Sequence, residues 1–403
     1  MGRSYHVLWV ANAISTLGDG VRMAALPLLA ATVTRDPTTV ATVAFAGQVP
    51  WLLVSLASGA VADRLDRRIV MWVVDTFRAL LMVAFAGLVI AGDVTVTALC
   101  AVAFLLGMGQ TLFDNASHAL LPTLVRREAL LVANGRMFGS RIVINNFLGP
   151  PVGSMLFVVA AAAPFFVDAA SFAVAAVLVG LALGSPVRPE RDAPARSLRA
   201  EIMEGVRWVS ASPVLRQLGG LIGVVNFTQA ATQSILVLFA LEKLGLTQRG
   251  YGWLLAAVGV GGAFGGLFGG ALRRRLGAGM LFTSTILLTI PVFLVLGTTS
   301  SPLVAAPMLA LNAFLGVTAN VLMNSLRQVI VPDRLLARVN SVMGLIAVGI
   351  SLPTGSLAGG LLADRLGLRA PFFASAALIA GAAVLVPRVA GTLAHSLDAS
   401  GQS

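Results

Sequence analysis

Twelve long apolar runs dominate this chain, and they constrain its fold more than any other feature. They lie near residues 7–31, 38–62, 69–91, 94–122, 134–158, 163–183, 214–241, 250–272, 278–297, 302–326, 339–362 and 370–390. A bilayer core about 30 Å thick is crossed by roughly 20 helical residues. Single strands cannot cross it, because their backbone groups would go unpaired in lipid. Charged residues make up only 11 % of the 403 and apolar ones 57 %, with mean hydropathy +0.90. A soluble domain usually carries about 25 % charged residues. The pattern excludes a soluble enzyme and a disordered chain. It predicts an all-α integral membrane protein of twelve transmembrane helices.

The runs fall into two sets of six, separated by the polar stretch 184–213. The expected organisation is a six-helix half over 1–183, a cytoplasmic linker over 184–213, a second half over 214–390 and a tail over 391–403. Within the linker, Ile202, Val206 and Val209 recur at helical spacing, so a short amphipathic surface helix is expected, capped by Ser197. The halves also look duplicated. Asn134 and Met137 match Asn340 and Met343, and Gly149 and Gly153 match Gly355 and Gly359, all at an offset of 206 residues. Parallel repeats of this kind place a substrate site near mid-membrane between the halves.

The net charge of +11 rests on 27 arginines and one lysine, Lys243. With the N-terminus inside, nineteen of these cations fall in inner loops and five in outer ones. The positive-inside rule then puts both termini in the cytoplasm and accounts for the charge without a nucleic-acid partner. Lys243 lies in no phosphate-binding loop. Cys100 is the lone cysteine, and the three histidines are scattered. No metal site, cofactor or catalytic constellation is expected, so the chain does not read as an enzyme.

Two motifs point to a family. Residues 59–68 read G-x-x-x-D-R-x-D-R-R, and residues 149–153 read G-P-P-V-G. The first resembles the loop between helices 2 and 3 of the major facilitator superfamily, with Asp66 in place of the usual glycine. The second resembles the helix-5 antiporter motif of proton-driven exporters in that superfamily, with Asn145 in place of its first glycine. Leu8–Gly20, Asp75–Ala79, Leu121–Val125 and Asp168–Phe172 are similar to the drug:proton antiporter branch that includes macrolide efflux proteins and the enterobactin exporter. The resemblance is clear over helices 1–6 and looser over helices 7–12. It implies a bacterial plasma-membrane protein exporting lipophilic or amphiphilic small molecules by proton antiport and alternating access. The alternative is a proton symporter or facilitator for a nutrient or lipid. Many relatives carry an arginine in mid-helix 4, and here Leu105–Thr111 has none. A monomer is expected, since the two halves already supply a closed pair.

Charges inside spans are costly and default to function. They all fall in the first half. Asp19 and Arg22 share a face of helix 1 near mid-membrane, and with Arg141 of helix 5 they are the candidate proton-coupling group. The competing reading is a permanent ion pair. Gly59, Asp63, Arg64, Arg67 and Arg68, with Asp75, Arg78 and Asp114, are expected to form a cytoplasmic gating latch. Asn145, Gly149, Pro150 and Gly153 form the antiporter motif. Asp168 is assigned to capping or packing near the outer surface. Asn146, Asn226, Phe227, Gln229, Gln233 and Asn320 are candidates for the substrate cavity, against a competing role in interhelical hydrogen bonding.

Overall fold

The computed structural model describes residues 2–64, 66–182 and 198–398. Among them every regular element is helical. Helices 1 to 4 span Arg3–Val33, Pro37–Arg64, Arg67–Ala91 and Val96–Leu124. Helix 5 runs over Leu130–Val159 and helix 6 over Ala163–Ala182. A connecting helix, Leu198–Ala211, leads to helix 7, which bends by 48° between Pro213–Ser234 and Leu236–Lys243. Helices 8 to 10 span Gln248–Leu276, Ala278–Thr298 and Pro302–Ile330. Helix 11 is built from Asp333–Gly344, Leu345–Ser351 and Leu352–Leu366, and helix 12 starts at Ala370. Helical structure continues past residue 390 to Asp398, with Leu393 buried. Nine of these helices are long and apolar enough to cross a membrane, or ten with bent helix 7 taken as one span. The proposed cap Ser197 lies outside the described residues.

By packing, the chain divides into two compact units. One comprises Met1–Arg35, Ala46–Ala193 and Leu246–Ala256; the other comprises Asp36–Phe45, Pro194–Gly245 and Ala257–Ser403. In the first unit, helix 1 is the hub, and glycine is what lets its neighbours reach it. A Cβ at Gly149 would stand 2.5 Å from the Gly20 backbone, and one at Gly153 would run into the Val21 carbonyl. A Cβ at Gly18 would crowd the side chains of Ser171 and Asp168 on helix 6. Small residues allow such backbone approach, which replaces the hydrophobic driving force that lipid does not supply.

The second unit uses the same device. Gly355 and Gly359 of helix 11 lie against the backbone of Phe227 and Ala231 in helix 7. Gly261 and Gly265 lie against the helix-10 backbone at Ala310 and Phe314. Only one row of the helix-8 glycine ladder packs so tightly. A Cβ at Gly266 would find its nearest neighbour 4.0 Å away, and one at Gly270 none within 4 Å.

Prolines loosen helices 5 and 11 close to their packed glycine pairs. Pro150 and Pro151 withhold backbone N–H groups, so carbonyls one turn earlier lose their donors. The preceding residues Ile142–Leu148 widen into a π-helical stretch, closed by Gly149 N–H donating to the Ile144 carbonyl. Leu345–Ser351 does the same just before Pro353. Such bulges carry a span through without ending it.

Two consequences can be measured. Gly153→Val should destabilise the fold by about 3 kcal/mol through backbone overlap. Gly139→Ala meets nothing within 4 Å and should stabilise it by about 0.5–1 kcal/mol; thermal unfolding in detergent reads both. At the start of helix 2, the Asp36 carboxylate accepts from Thr39 N–H at 2.8 Å, from Thr38 N–H at 3.3 Å and from the Thr39 hydroxyl. The Thr39 hydroxyl, with those backbone donors, holds the Asp36 carboxyl below its ordinary value. Its contribution is therefore full above pH ~4 and lost as pH falls through the lowered folded value. Asp36→Ala should cost about 1 kcal/mol at pH 7 and progressively less in acid, as followed by melting temperature against pH.

Candidate functional site

The intramembrane charges of the first unit converge into one connected network around Arg78. This guanidinium is fully buried. One nitrogen donates to Asp19 at 2.9 Å and to the Gln110 side-chain oxygen at 2.7 Å; the other lies 3.5 Å from Asp75. Its carbon sits 3.9 Å above the centre of the Phe172 ring, a cation–π contact strengthened by burial. Gly109 leaves it room, since a Cβ there would be 2.9 Å from the Arg78 side chain. Four helices thus supply partners for a single cation.

The network extends in two directions. Asp19 also receives Arg22 at 2.5 Å, and Arg22 reaches on to Asp168 of helix 6 at 2.9 Å. Gln110 donates to Asp114 at 2.9 Å, one turn further along helix 4, and Arg141 of helix 5 lies 3.5 Å from the same Asp114 oxygen. A cavity of about 270 Å³ opens beside these groups, lined by Asp19, Arg22, Gln110, Asp114, Arg141 and Asn145 among others. Asp75 and Asp168 are completely buried, and each keeps one oxygen without a hydrogen-bond partner, Oδ2 of Asp75 and Oδ1 of Asp168.

Sequence reading brought Asp19 and Arg22 together, and they pair here; Arg141 joins them along the cavity but contacts Asp114. Three assignments change. Asp75, Arg78 and Asp114 sit in the buried network rather than reaching the loop arginines. Arg67 instead donates to the Ala119 carbonyl at 2.8 Å, and Arg68 to the carbonyls of Val179, at 3.1 Å, and Gly180. The physical reason is that carbonyls near the C-terminal ends of helices 4 and 6 attract cations. Asp66 caps helix 3 by accepting from Arg68 N–H at 3.0 Å. Asp168, expected to cap or pack, is instead a buried ion-pair partner. The side chains of Gly59, Asp63 and Arg64 lie outside the described residues.

Gln110 and Phe172 were not singled out from the sequence. Gln110 is polar at mid-helix 4, in the stretch that lacks an arginine, and that was its available signal. Phe172 gave none, because cation–π contacts cannot be read from one helix. The proposed cavity residues do not gather. Asn226 bonds its own helix at Ile222, Gln229 accepts from Asn312 at 3.0 Å, and Asn320 accepts from Asn324 at 2.6 Å. Asn146 accepts from Asn145 at 3.1 Å, and Gln233 is half-buried. Phe227 lines a separate apolar cavity in the second unit.

A buried charge network of this kind, set in helices long enough to span a bilayer, fits a transporter, and comparisons with known proteins agree. The family model described as transmembrane secretion effector matches residues 2–401. The multidrug efflux pump Tap of Mycolicibacterium fortuitum is 27 % identical over 92 % of this chain and 93 % of its own length. The enterobactin exporter EntS of Escherichia coli is 27 % identical over 71 % of this chain and 68 % of its own. Among solved structures, a bacterial homologue of the iron transporter ferroportin superposes with TM-score 0.74 at 18 % identity, covering 96 % of this chain and 98 % of that one, which supports the shared fold. With the fold, the spans and the full-length match in agreement, the chain belongs to the transmembrane secretion effector family of major facilitator transporters, multi-pass membrane proteins that carry small molecules.

Proposed function

We propose that this protein exports amphiphilic small molecules across a bacterial plasma membrane by proton antiport and alternating access. The similarity to a multidrug efflux pump and an enterobactin exporter supports the direction and the substrate class. The arginine bias of the loops supports cytoplasmic termini. In this reading the chain works as a monomer, and Gly59, Asp63, Arg64, Arg67 and Arg68 latch the inner loop. Asn145, Gly149, Pro150 and Gly153 hold the widened helix 5 against helix 1, which keeps Arg141 beside the polar cavity.

One observation carries the proton coupling. The network contains four carboxyls, Asp19, Asp75, Asp114 and Asp168, but three guanidiniums, Arg22, Arg78 and Arg141. An uncompensated charge at this depth costs several kcal/mol, and like charges that close do not all ionise. One carboxyl therefore holds a proton. Asp19, which the sequence favours as the carrier, is bound by two arginines. Asp75 has its one guanidinium contact at 3.5 Å and an oxygen without a partner, so we assign the proton to Asp75. Arg78 then acts as the switch. It turns toward Asp75 when that group loses its proton, and relaxes its hold on Asp19 and on Gln110, whose other end binds Asp114. Gln110 thus takes the place of the helix-4 arginine by linking a helix-3 arginine to the cavity.

Proton flux into liposomes, evoked by a panel of cationic and neutral amphiphiles, tests this. Asp75→Asn should abolish proton movement while leaving downhill substrate exchange. Persistence of coupled flux in that variant would reject Asp75, and its loss in Asp168→Asn alone would place the proton there. No proton movement in the wild type with any compound that crosses would favour the facilitator reading. A stability readout is independent of transport. Arg78→Ala strands the Asp19 and Asp75 side of the network and should cost about 3–5 kcal/mol. Asp75→Asn mimics the protonated acid and should melt within a degree or two of the wild type.

A further inference from the structure

The second unit carries an open apolar cavity of about 820 Å³ that no coupling or gating role explains. Its origin is a change in how helices 7 and 11 meet. At Gly355 and Gly359 the two backbones touch. Nearer the start of helix 7, a Cβ at Gly219 or Gly223 would meet only side-chain atoms of helix 11, at 3.4–3.5 Å. The helices part there, and Gly219, Gly220 and Gly223 present no side chain to fill the gap. Leu378 of helix 12 lines it as well. The connecting helix lies against helix 11 at one end, with Gly205 beside the Arg338 carbonyl and Glu204 paired to Arg338 at 2.6 Å. Val209 of that helix is buried against the cavity.

The lining carries one charged residue, Arg216, in the first turn of helix 7. It is exposed and makes no ion pair among the described residues. Two of the three lining hydroxyls are engaged locally, Ser210 donating to the Arg207 carbonyl at 2.9 Å and Thr354 to the Ile350 carbonyl at 2.6 Å; Ser351 is the third. From Arg216 to Phe227, the deepest lining residue on helix 7, is eleven residues, or roughly 16 Å along the axis. The site is thus a deep apolar slot with a cation at its membrane-surface end. Water within it would find few partners, whereas an acyl chain needs none, and an anionic headgroup complements the guanidinium.

We propose that this cavity binds an anionic phospholipid from the leaflet at which helix 7 begins, with one acyl chain in the slot and the phosphate on Arg216. The bound lipid wedges helices 7 and 11 apart and seats the connecting helix. Nothing in this assignment depends on proton coupling or on the exported compound.

Native mass spectrometry of the full chain, extracted from vesicles of equal parts phosphatidylglycerol and phosphatidylcholine, tests it. The wild type should retain one phosphatidylglycerol in preference to phosphatidylcholine. Arg216→Gln should lower phosphatidylglycerol retention about fivefold and erase the preference. Gly220→Leu should abolish retention of both lipids, since a Cβ there meets only the Leu385 side chain at 3.5 Å and the rest of the side chain occupies the slot. Leu378→Trp narrows the cavity from another wall and carries the test if Gly220→Leu does not fold, as judged by size-exclusion and circular dichroism. Equal retention of both lipids by the wild type, or phosphatidylglycerol retention unchanged when the cavity is filled, would overturn the proposal. So would retention of an added cationic amphiphile in place of lipid. Loss of proton coupling in Asp75→Asn leaves this result untouched, so the two proposals fail separately.

Discussion

Arg78 is the interaction on which the first unit depends. A guanidinium at full burial needs partners for its charge, and Arg78 finds them through its two terminal nitrogens while its Nε has none. Here helix 1 offers Asp19, helix 3 its own Asp75, helix 4 Gln110 and helix 6 the face of Phe172. None of these alone would hold a cation in the membrane. Together they tie four helices at a single point, and any displacement of one helix changes the electrostatic balance of the others. That coupling between helix position and charge is what a proton-driven transporter needs, since protonation then has a mechanical consequence.

Glycine contacts are the second constraint, and they act by geometry. Lipid gives no hydrophobic reward for helix association, so close backbone packing does the joining. Gly18, Gly20, Gly149 and Gly153 draw helices 5 and 6 onto helix 1, which sets Asp168 beside Arg22 and Arg141 beside the polar cavity. In the second unit the same kind of contact at Gly355 and Gly359 fixes one end of the helix 7–11 pair and leaves the other end open. The π-helical stretches before Pro150 and Pro353 belong to this plan. They turn residues around the helix axis without breaking the span.

The two units carry different chemistry. Charged groups within the spans cluster in the first, while the cavity of the second is apolar with one arginine at its edge. The repeat in the sequence is therefore a repeat of backbone packing, preserved at Gly149, Gly153, Gly355 and Gly359, and not of chemistry. One copy keeps ionisable groups that balance one another; the other keeps space.

Much of this was legible in the residues themselves. Helical spans follow from apolar length, because lipid admits only helices and closed barrels and runs of about 20 residues suit the helix. The family follows from short motifs, and the intramembrane charges stand out by their rarity in apolar runs. Asp19 and Arg22 were paired correctly because three residues on one helix is a local distance. Partners across helices were not legible. From the residues alone Asp168 reads as capping or packing, Asp75 and Arg78 as partners of the loop arginines, and Gln110 as part of a stretch that lacks an arginine. The sequence by itself determined which groups must be buried and that they must find partners. Only the tertiary structure decided which partners, because helix rotation and crossing, set by glycine contacts and proline-widened turns, fix which side chains meet.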